Sequence, residues 1–238
     1  MRIEVLADAD AVARKAAAVI AAEARQTAHV RGRFIMAVSG GHTPWAMLRA
    51  LADEDVPWTS VHIFQVDERV APEGHADRNL THLRASLLEH APMPAGQIYA
   101  MPVELPDLQT AAAKYATQLE TIAGAPPVLD LVHLGLGPDG HTASLVPGDA
   151  VLGVTDRDVA VTGVYQGRNR LTLTYPVINR ARRILWLVTG SEKVPMYKRL
   201  QAGDRSIPAG RVRQDNARLL ADRAAAGERT DEGDWEIA

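Results

Sequence analysis

Asp139 and His141 stand two residues apart in the string Gly135-Leu136-Gly137-Pro138-Asp139-Gly140-His141, directly after an apolar run. Histidine exchanges a proton near neutral pH, and a nearby carboxylate orients the ring and stabilises the imidazolium that forms, so the pair suits general acid–base chemistry. The same two residues could equally serve as a helix N-cap and a first-turn residue. The string also fits the dinucleotide fingerprint GxGxxG. Against a dinucleotide, Pro147-Gly148 breaks any helix within about two turns of the loop. The acid that should close the next strand, Asp158, stands instead at the beginning of the run Val159 to Val164.

A second cluster, Ser39-Gly40-Gly41-His42-Thr43, lies between the apolar run FIMAV and Pro44. Such a loop converges backbone N–H groups, with the positive end of the following helix behind them and the Ser39 and Thr43 hydroxyls beside them, and so suits a phosphate. A tight turn that needs glycine for its geometry is the plainer alternative. The stretch from Ala37 to Gly41 also resembles a nucleophile elbow with its first glycine replaced, which would make Ser39 a serine-hydrolase nucleophile. Two consecutive glycines followed by Pro44 fit a wide anion loop better than a strained elbow.

Other chemistries find less support. The eight histidines are scattered without an HExxH pattern, and the densest group, His75, Asp77 and His82, falls on an expected surface loop and helix, so no metal site is expected. The absence of cysteine excludes disulfides, thiolate sites and a cysteine nucleophile. A net charge of -3 without a basic block gives no sign of a nucleic-acid partner. Asp8, Asp10, Arg14 and Lys15 punctuate the N-terminal region, so neither a signal peptide nor a membrane helix is expected, and a cytoplasmic location is the default.

The elements that must hold these loops alternate. Runs at 3–6, 34–38, 61–66, 128–134, 171–175 and 184–188 read as strands, and helical patterns run from near Asp8 to about Ala28 and begin near Pro44, Asn79, Asp107 and Ser191. This order predicts an α/β fold: an open, Rossmann-like sheet, largely parallel in its first part, with helices on both faces as a three-layer sandwich. Low aromatic content, 5% against 47% hydrophobic, fits such layering. The runs at 34–38 and 129–134 are nearly continuous apolar runs, as expected of central strands, and both lead into glycine-rich loops, where open α/β sheets bind ligands. No linker divides the 238 residues, so a single domain over 1–238 is expected, with the acidic stretch at 228–238 read as a mobile or docked tail without chemistry.

In order and spacing, SGGHTP (39–44), VDER (66–69), LGLGPDGHTASLVPG (134–148), RLTLTY (170–175) and GSEK (190–193) resemble the motif series of the 6-phosphogluconolactonases over nearly the whole chain. The related glucosamine-6-phosphate deaminases share the glycine loop and the Asp-Gly-His segment. They typically read GHIAFNEP, with a glutamate where this chain has Val146, and an aromatic residue where it has Arg69, which favours the lactonases. The resemblance implies hydrolysis of 6-phospho-D-glucono-1,5-lactone without a cofactor, with His141 as general base and Asp139 orienting it. Asp67 is a third catalytic candidate whose role is left open. Ser39, Gly40, Gly41, His42 and Thr43 are implied as the phosphate loop, and Arg69, Arg170 and Lys193 as the cations that hold the phosphate. Three positions depart from the pattern: His42 and Arg78 replace serines, and Val146 replaces phenylalanine. The expected partner is this small-molecule substrate, and the expected state a monomer or small homo-oligomer. A deaminase-like isomerase, a serine hydrolase using Ser39 and a noncatalytic sugar-phosphate sensor are the competing functions.

Overall fold

The computed structural model describes residues 1–228; the acidic tail expected at 228–238 lies outside them, Glu228 apart. Its strands are β1 (Arg2–Leu6), β2 (Phe34–Val38), β3 (Val61–Gln65), β4 (Asp67–Arg69), β5 (Ile98–Tyr99), β6 (Leu131–Gly135), β7 (Val159–Val161), β8 (Arg170–Leu173), β9 (Arg183–Val188) and β10 (Ala217–Asp222). Its helices are α1 (Ala9–Arg31), α2 (His42–Ala52), α3 (Asn79–Leu83), α4 (Leu108–Ala123), α5 (Tyr175–Arg180), α6 (Val194–Gln201) and α7 (Arg223–Ala226). Local chemistry sets the longer helix ends. Asp8 caps α1 by accepting from Ala11 N–H at 2.7 Å, Gly32 ends it at φ +76°, and Asp107 accepts from the Gln109 and Thr110 N–H groups at the start of α4.

Seven strands form a parallel sheet in the order β1-β10-β9-β6-β2-β3-β5. Every residue of β2 is buried, and alternation divides them between the two faces. Phe34, Met36 and Val38 pack with Val12, Ala16 and Ile20 of α1 and Met47, Leu48 and Leu51 of α2. Ile35 and Ala37 belong to the opposite cluster, with Ala111, Tyr115 and Leu119 of α4, Val177 of α5 and Leu200 of α6. Each large apolar side chain so buried contributes roughly 1.5–3 kcal/mol, enough to hold three layers in register. No helix among the described residues is long and apolar enough to cross a membrane.

The strand order places the site. From β2 the chain moves outward through β3 to β5, returns to β6 on the other side of β2, and continues outward through β9 to β10. The direction of winding therefore reverses between β2 and β6, the position where open α/β sheets leave a crevice at the carboxyl ends of their strands.

The structure departs from the sequence expectations in several places. The main sheet is parallel throughout, with β10 as an unexpected strand between β1 and β9. The run expected at 171–175 occupies Arg170–Leu173 and leaves the main sheet, pairing antiparallel with β4 and β7 in a separate sheet. The helix expected from Asn79 is a short α3 followed by a π turn at Arg84–Leu88, and that from Ser191 opens with a 3-10 turn before α6.

His133, fully buried at the centre of β6, accepts the Ser39 N–H on Nδ1 at 3.2 Å, while its carbonyl accepts the Ser39 hydroxyl at 2.9 Å. Burial depresses this imidazole to about 3, so it stays neutral and anchors the β2 loop to β6. Between its folded value and the unfolded value near 6.5, only the unfolded chain takes up this proton, so stability falls as pH drops through that window. Urea unfolding of wild type and His133→Asn at pH 6.5 and 5 is expected to show wild type losing about 1.5 kcal/mol more than the variant. Equal losses would contradict a neutral buried His133.

Candidate active site

After β6 the chain turns through Gly137, Pro138 and Gly140 without entering a helix. The Gly137 N–H donates to the His141 carbonyl at 2.8 Å and the Gly140 N–H to the Gly137 carbonyl at 3.0 Å, with Gly140 at φ +84°. This closure presses Asp139 against His141: Oδ1 accepts the His141 backbone N–H at 3.1 Å and lies 2.5 Å from ring Nδ1. With Nδ1 donating to the carboxylate, the lone pair rests on Nε2. Burial pushes the Asp139 carboxyl up. The His141 backbone N–H, the imidazole and the Tyr165 hydroxyl, 3.1 Å from Oδ2, outweigh this and hold it below its usual range. A Cβ at Gly137 would lie 2.1 Å from His141 Nδ1 and 2.7 Å from Asp139 Oδ1, so only glycine permits the arrangement.

His141 borders a cavity of about 350 Å³ that Ser39, Gly40, Gly41, His42, Thr43 and Pro44 of the β2 loop also line. The loop contributes shape and backbone more than hydroxyls. Ser39 is buried with its hydroxyl turned to the His133 carbonyl, and the Thr43 hydroxyl lies 2.5 Å from that of Thr189. Ser39 therefore has no imidazole on its oxygen, which removes the arrangement a serine nucleophile needs. His42 is exposed at the rim, edge-on to Trp45. Gly40 lies against Asn79, whose Oδ1 would be 2.0 Å from a Cβ there.

Positive charge enters from three elements. Arg69 of β4 and Arg170 of β8 are paired in register, and Lys193 comes from the turn before α6; all three line the cavity. The turn of Lys193 is fixed by Asp222 at the end of β10, whose carboxylate accepts the Gly190 N–H at 3.1 Å. Arg170 is only 4% exposed, and burial lowers its guanidinium from its usual value, with the Asp67 charge opposing and the Arg69 charge adding to that effect. The Nε atoms of both arginines are buried without an acceptor among the described residues. Unpaired buried donors and two adjacent cations are both costly, and a bound anion would relieve both.

Asp67 also lines the cavity but is tied to the cations rather than to His141. Its Oδ2 accepts the Ser144 hydroxyl at 2.6 Å, and Arg170 Nη1 reaches the same hydroxyl at 3.5 Å. Glu68 points inward, where it accepts the Asn79 and Leu80 N–H groups at the start of α3 and faces Arg78 Nε at 3.1 Å. Arg78, 1% exposed, is thus a buried counterion and does not line the cavity, and neither does Val146. The Gly137, Gly140 and His141 N–H groups are spent within their loop, so they are not free to donate to an oxyanion. His75, Asp77 and His82 do not line the cavity, and no cluster suited to a metal ion occurs among the described residues. Sequence reasoning passed over Asn79, Thr189 and Tyr165, because each reaches the site through contacts with residues distant in the chain.

Residues 7–221 match the family described as glucosamine-6-phosphate isomerases/6-phosphogluconolactonase, and the chain belongs to that family. Within it, the chain is 35% identical to a 6-phosphogluconolactonase of Nostoc sp. over 94% of its own length and 96% of the relative's. It is also 35% identical to the enzyme of that name from Mycobacterium tuberculosis, again over 94% and 96%. The structure of a 6-phosphogluconolactonase from Thermotoga maritima aligns over 93% of this chain and 98% of that one, with a TM-score of 0.82 and 27% identity. A monomeric glucosamine-6-phosphate deaminase, at 17% identity and a TM-score of 0.84, covers 96% of this chain and 100% of its own and shares the fold.

Replacing Gly137 by alanine is expected to force the His141 ring off Asp139 while leaving the sheet intact. The downfield proton resonance of the Nδ1–H bond should vanish with an unchanged far-ultraviolet circular dichroism spectrum; a resonance retained at its wild-type position would contradict the packing described.

Proposed function

We propose that the chain hydrolyses 6-phospho-D-glucono-1,5-lactone to 6-phospho-D-gluconate, the lactone-opening step of the oxidative pentose phosphate route. The observation that carries this reading is a histidine paired to a carboxylate on the wall of a cavity whose other charged lining includes Arg69, Arg170 and Lys193. Full-length relatives named 6-phosphogluconolactonase support the substrate. The apolar Val146, where the deaminases carry a glutamate, supports the lactonase branch, because it cannot relay a proton.

In this reading the cations and the β2 loop hold the phosphate and set the lactone C1 beside His141. Nε2 takes a proton from water as the water oxygen bonds to C1, and Asp139 steadies the imidazolium through Nδ1. Collapse of the tetrahedral intermediate breaks the bond from C1 to the ring oxygen, which recovers the proton from His141. An ester carbonyl is electrophilic enough for this route to need no cofactor. A small-molecule partner and a cytoplasmic setting go with the proposal.

The test is turnover of freshly generated lactone, corrected for spontaneous hydrolysis. His141→Ala should lower kcat by about 10² to 10⁴ and leave 6-phosphogluconate binding nearly unchanged. Arg170→Ala or Lys193→Ala should weaken that binding by about tenfold or more. Wild-type turnover in His141→Ala would remove the base, and undiminished affinity in both cation variants would remove the anchor.

A further inference from the structure

Tyr165 lies in the turn between β7 and β8, where its backbone pairs with that of Arg168 as an isolated bridge. The side chain reaches two groups with separate tasks. Its hydroxyl donates to Asp139 Oδ2 at 3.1 Å, and its ring meets the His141 ring edge-on at 5.5 Å. On the same ring the Arg170 guanidinium carbon sits 4.9 Å from the centroid. The neighbouring Gln166 holds the left-handed conformation, φ +52°, and accepts from Arg170 Nη2 at 3.1 Å. A non-glycine residue rarely adopts that conformation unless its surroundings hold it, so the turn is shaped around the arginine.

We propose that Tyr165 is a positioning residue that couples the phosphate-holding Arg170 to the Asp139–His141 pair. Asp139 offers His141 a single oxygen, Oδ1, because Oδ2 is engaged by the phenol. A carboxylate fixed at both oxygens cannot rotate, so the imidazole keeps one orientation toward the cavity. The phenol also draws charge from the carboxylate and tempers how strongly it supports the imidazolium. Burial, followed by the Asp139 charge and the hydrogen bond to it, pushes the phenol above its usual value and keeps its proton in place. The ring provides a cation–π platform for a guanidinium that has few protein acceptors of its own. His42, Asp67, Arg69, Glu192 and Lys193 are the other charged or titratable groups around the cavity and stay constant in the comparison below.

The inference rests on the lactonase reading, and two variants separate the halves of the role. Tyr165→Phe keeps the ring and loses the hydroxyl: kcat should fall about tenfold, with KM within about twofold of wild type. Because Asp139 then supports the imidazolium more strongly, the acid limb of kcat/KM should move to higher pH. Tyr165→Ala loses the platform as well, and KM should rise about three- to tenfold in addition. A readout without substrate keeps this separate from the identity of the reaction: the downfield Nδ1–H resonance of His141 should move further downfield in Tyr165→Phe. Movement of that resonance in a protein without lactonase turnover would overturn the proposed reaction while upholding the link from Tyr165 to the pair. A Tyr165→Phe enzyme with wild-type kcat, pH profile and resonance would overturn the inference, and so would a uniform loss of activity with no displacement of the pH profile.

Discussion

Because β6 runs parallel to β2, with Met36 opposite Leu131 and Ala37 opposite Val132, the loops leaving the two strands must emerge at the same edge of the sheet. Everything at the site depends on that pairing. It sets the glycine loop at 39–43 beside Asp139 and His141, although about a hundred residues of chain separate the two segments. His133 reinforces it, since one residue on β6 accepts both hydrogen-bond donors of Ser39. Burial keeps this histidine neutral, so the clamp does not alternate between charge states near neutral pH.

The second sheet solves a different problem. A phosphate needs several cations in one place, and cations crowded together repel one another and lose hydration. Pairing β4 with β8 sets Arg69 beside Arg170, and the Asp67–Ser144 contact places a carboxylate within reach of the more buried arginine. Lys193 arrives from β9, on a turn fixed by Asp222 of β10. The cation cluster is thus assembled from both sheets, and the buried Nε–H groups of Arg69 and Arg170 have no acceptor among the described residues. The Asp139–His141 pair makes most of its hydrogen bonds within its own loop and meets the cation cluster through Tyr165.

The parts legible in the sequence were those that local chemistry determines. Nearly continuous apolar runs marked β2 and β6 as buried strands, glycines marked the loops after them, and Asp-Gly-His gave a carboxylate–imidazole pair whose partners are two residues apart. Position in the sheet was harder to read. The run RLTLTY is strand-like, but nothing local tells whether it joins the parallel sheet or pairs with three residues at 67–69. β10, ARLLAD, carries Arg218 near its start and ends in Asp222, so its apolar signal is weak, and it is stabilised by lying between β1 and β9. Arg78 stands out in the sequence only as a departure from a family serine, and the buried carboxylate of Glu68 that draws it inward is visible only in the fold. Ser39 looked like a ligand-facing hydroxyl until the carbonyl of His133 was placed beside it. Tyr165 carries no local signal and gains its contacts only when the β7–β8 turn folds back over Asp139 and Arg170.

The central claim is that one cavity holds the phosphate at its cations and places the reacting carbon at His141. A crystal structure of the complex with 6-phosphogluconate tests this directly. The account predicts the phosphate against Arg69, Arg170, Lys193 and the β2 loop, with the C1 carboxylate at the His141 end of the cavity and an oxygen about 2.6–3.2 Å from Nε2 when the imidazole carries both protons. A phosphate seated at His141, or a C1 carboxylate turned away from it with the phosphate in place, would contradict the account.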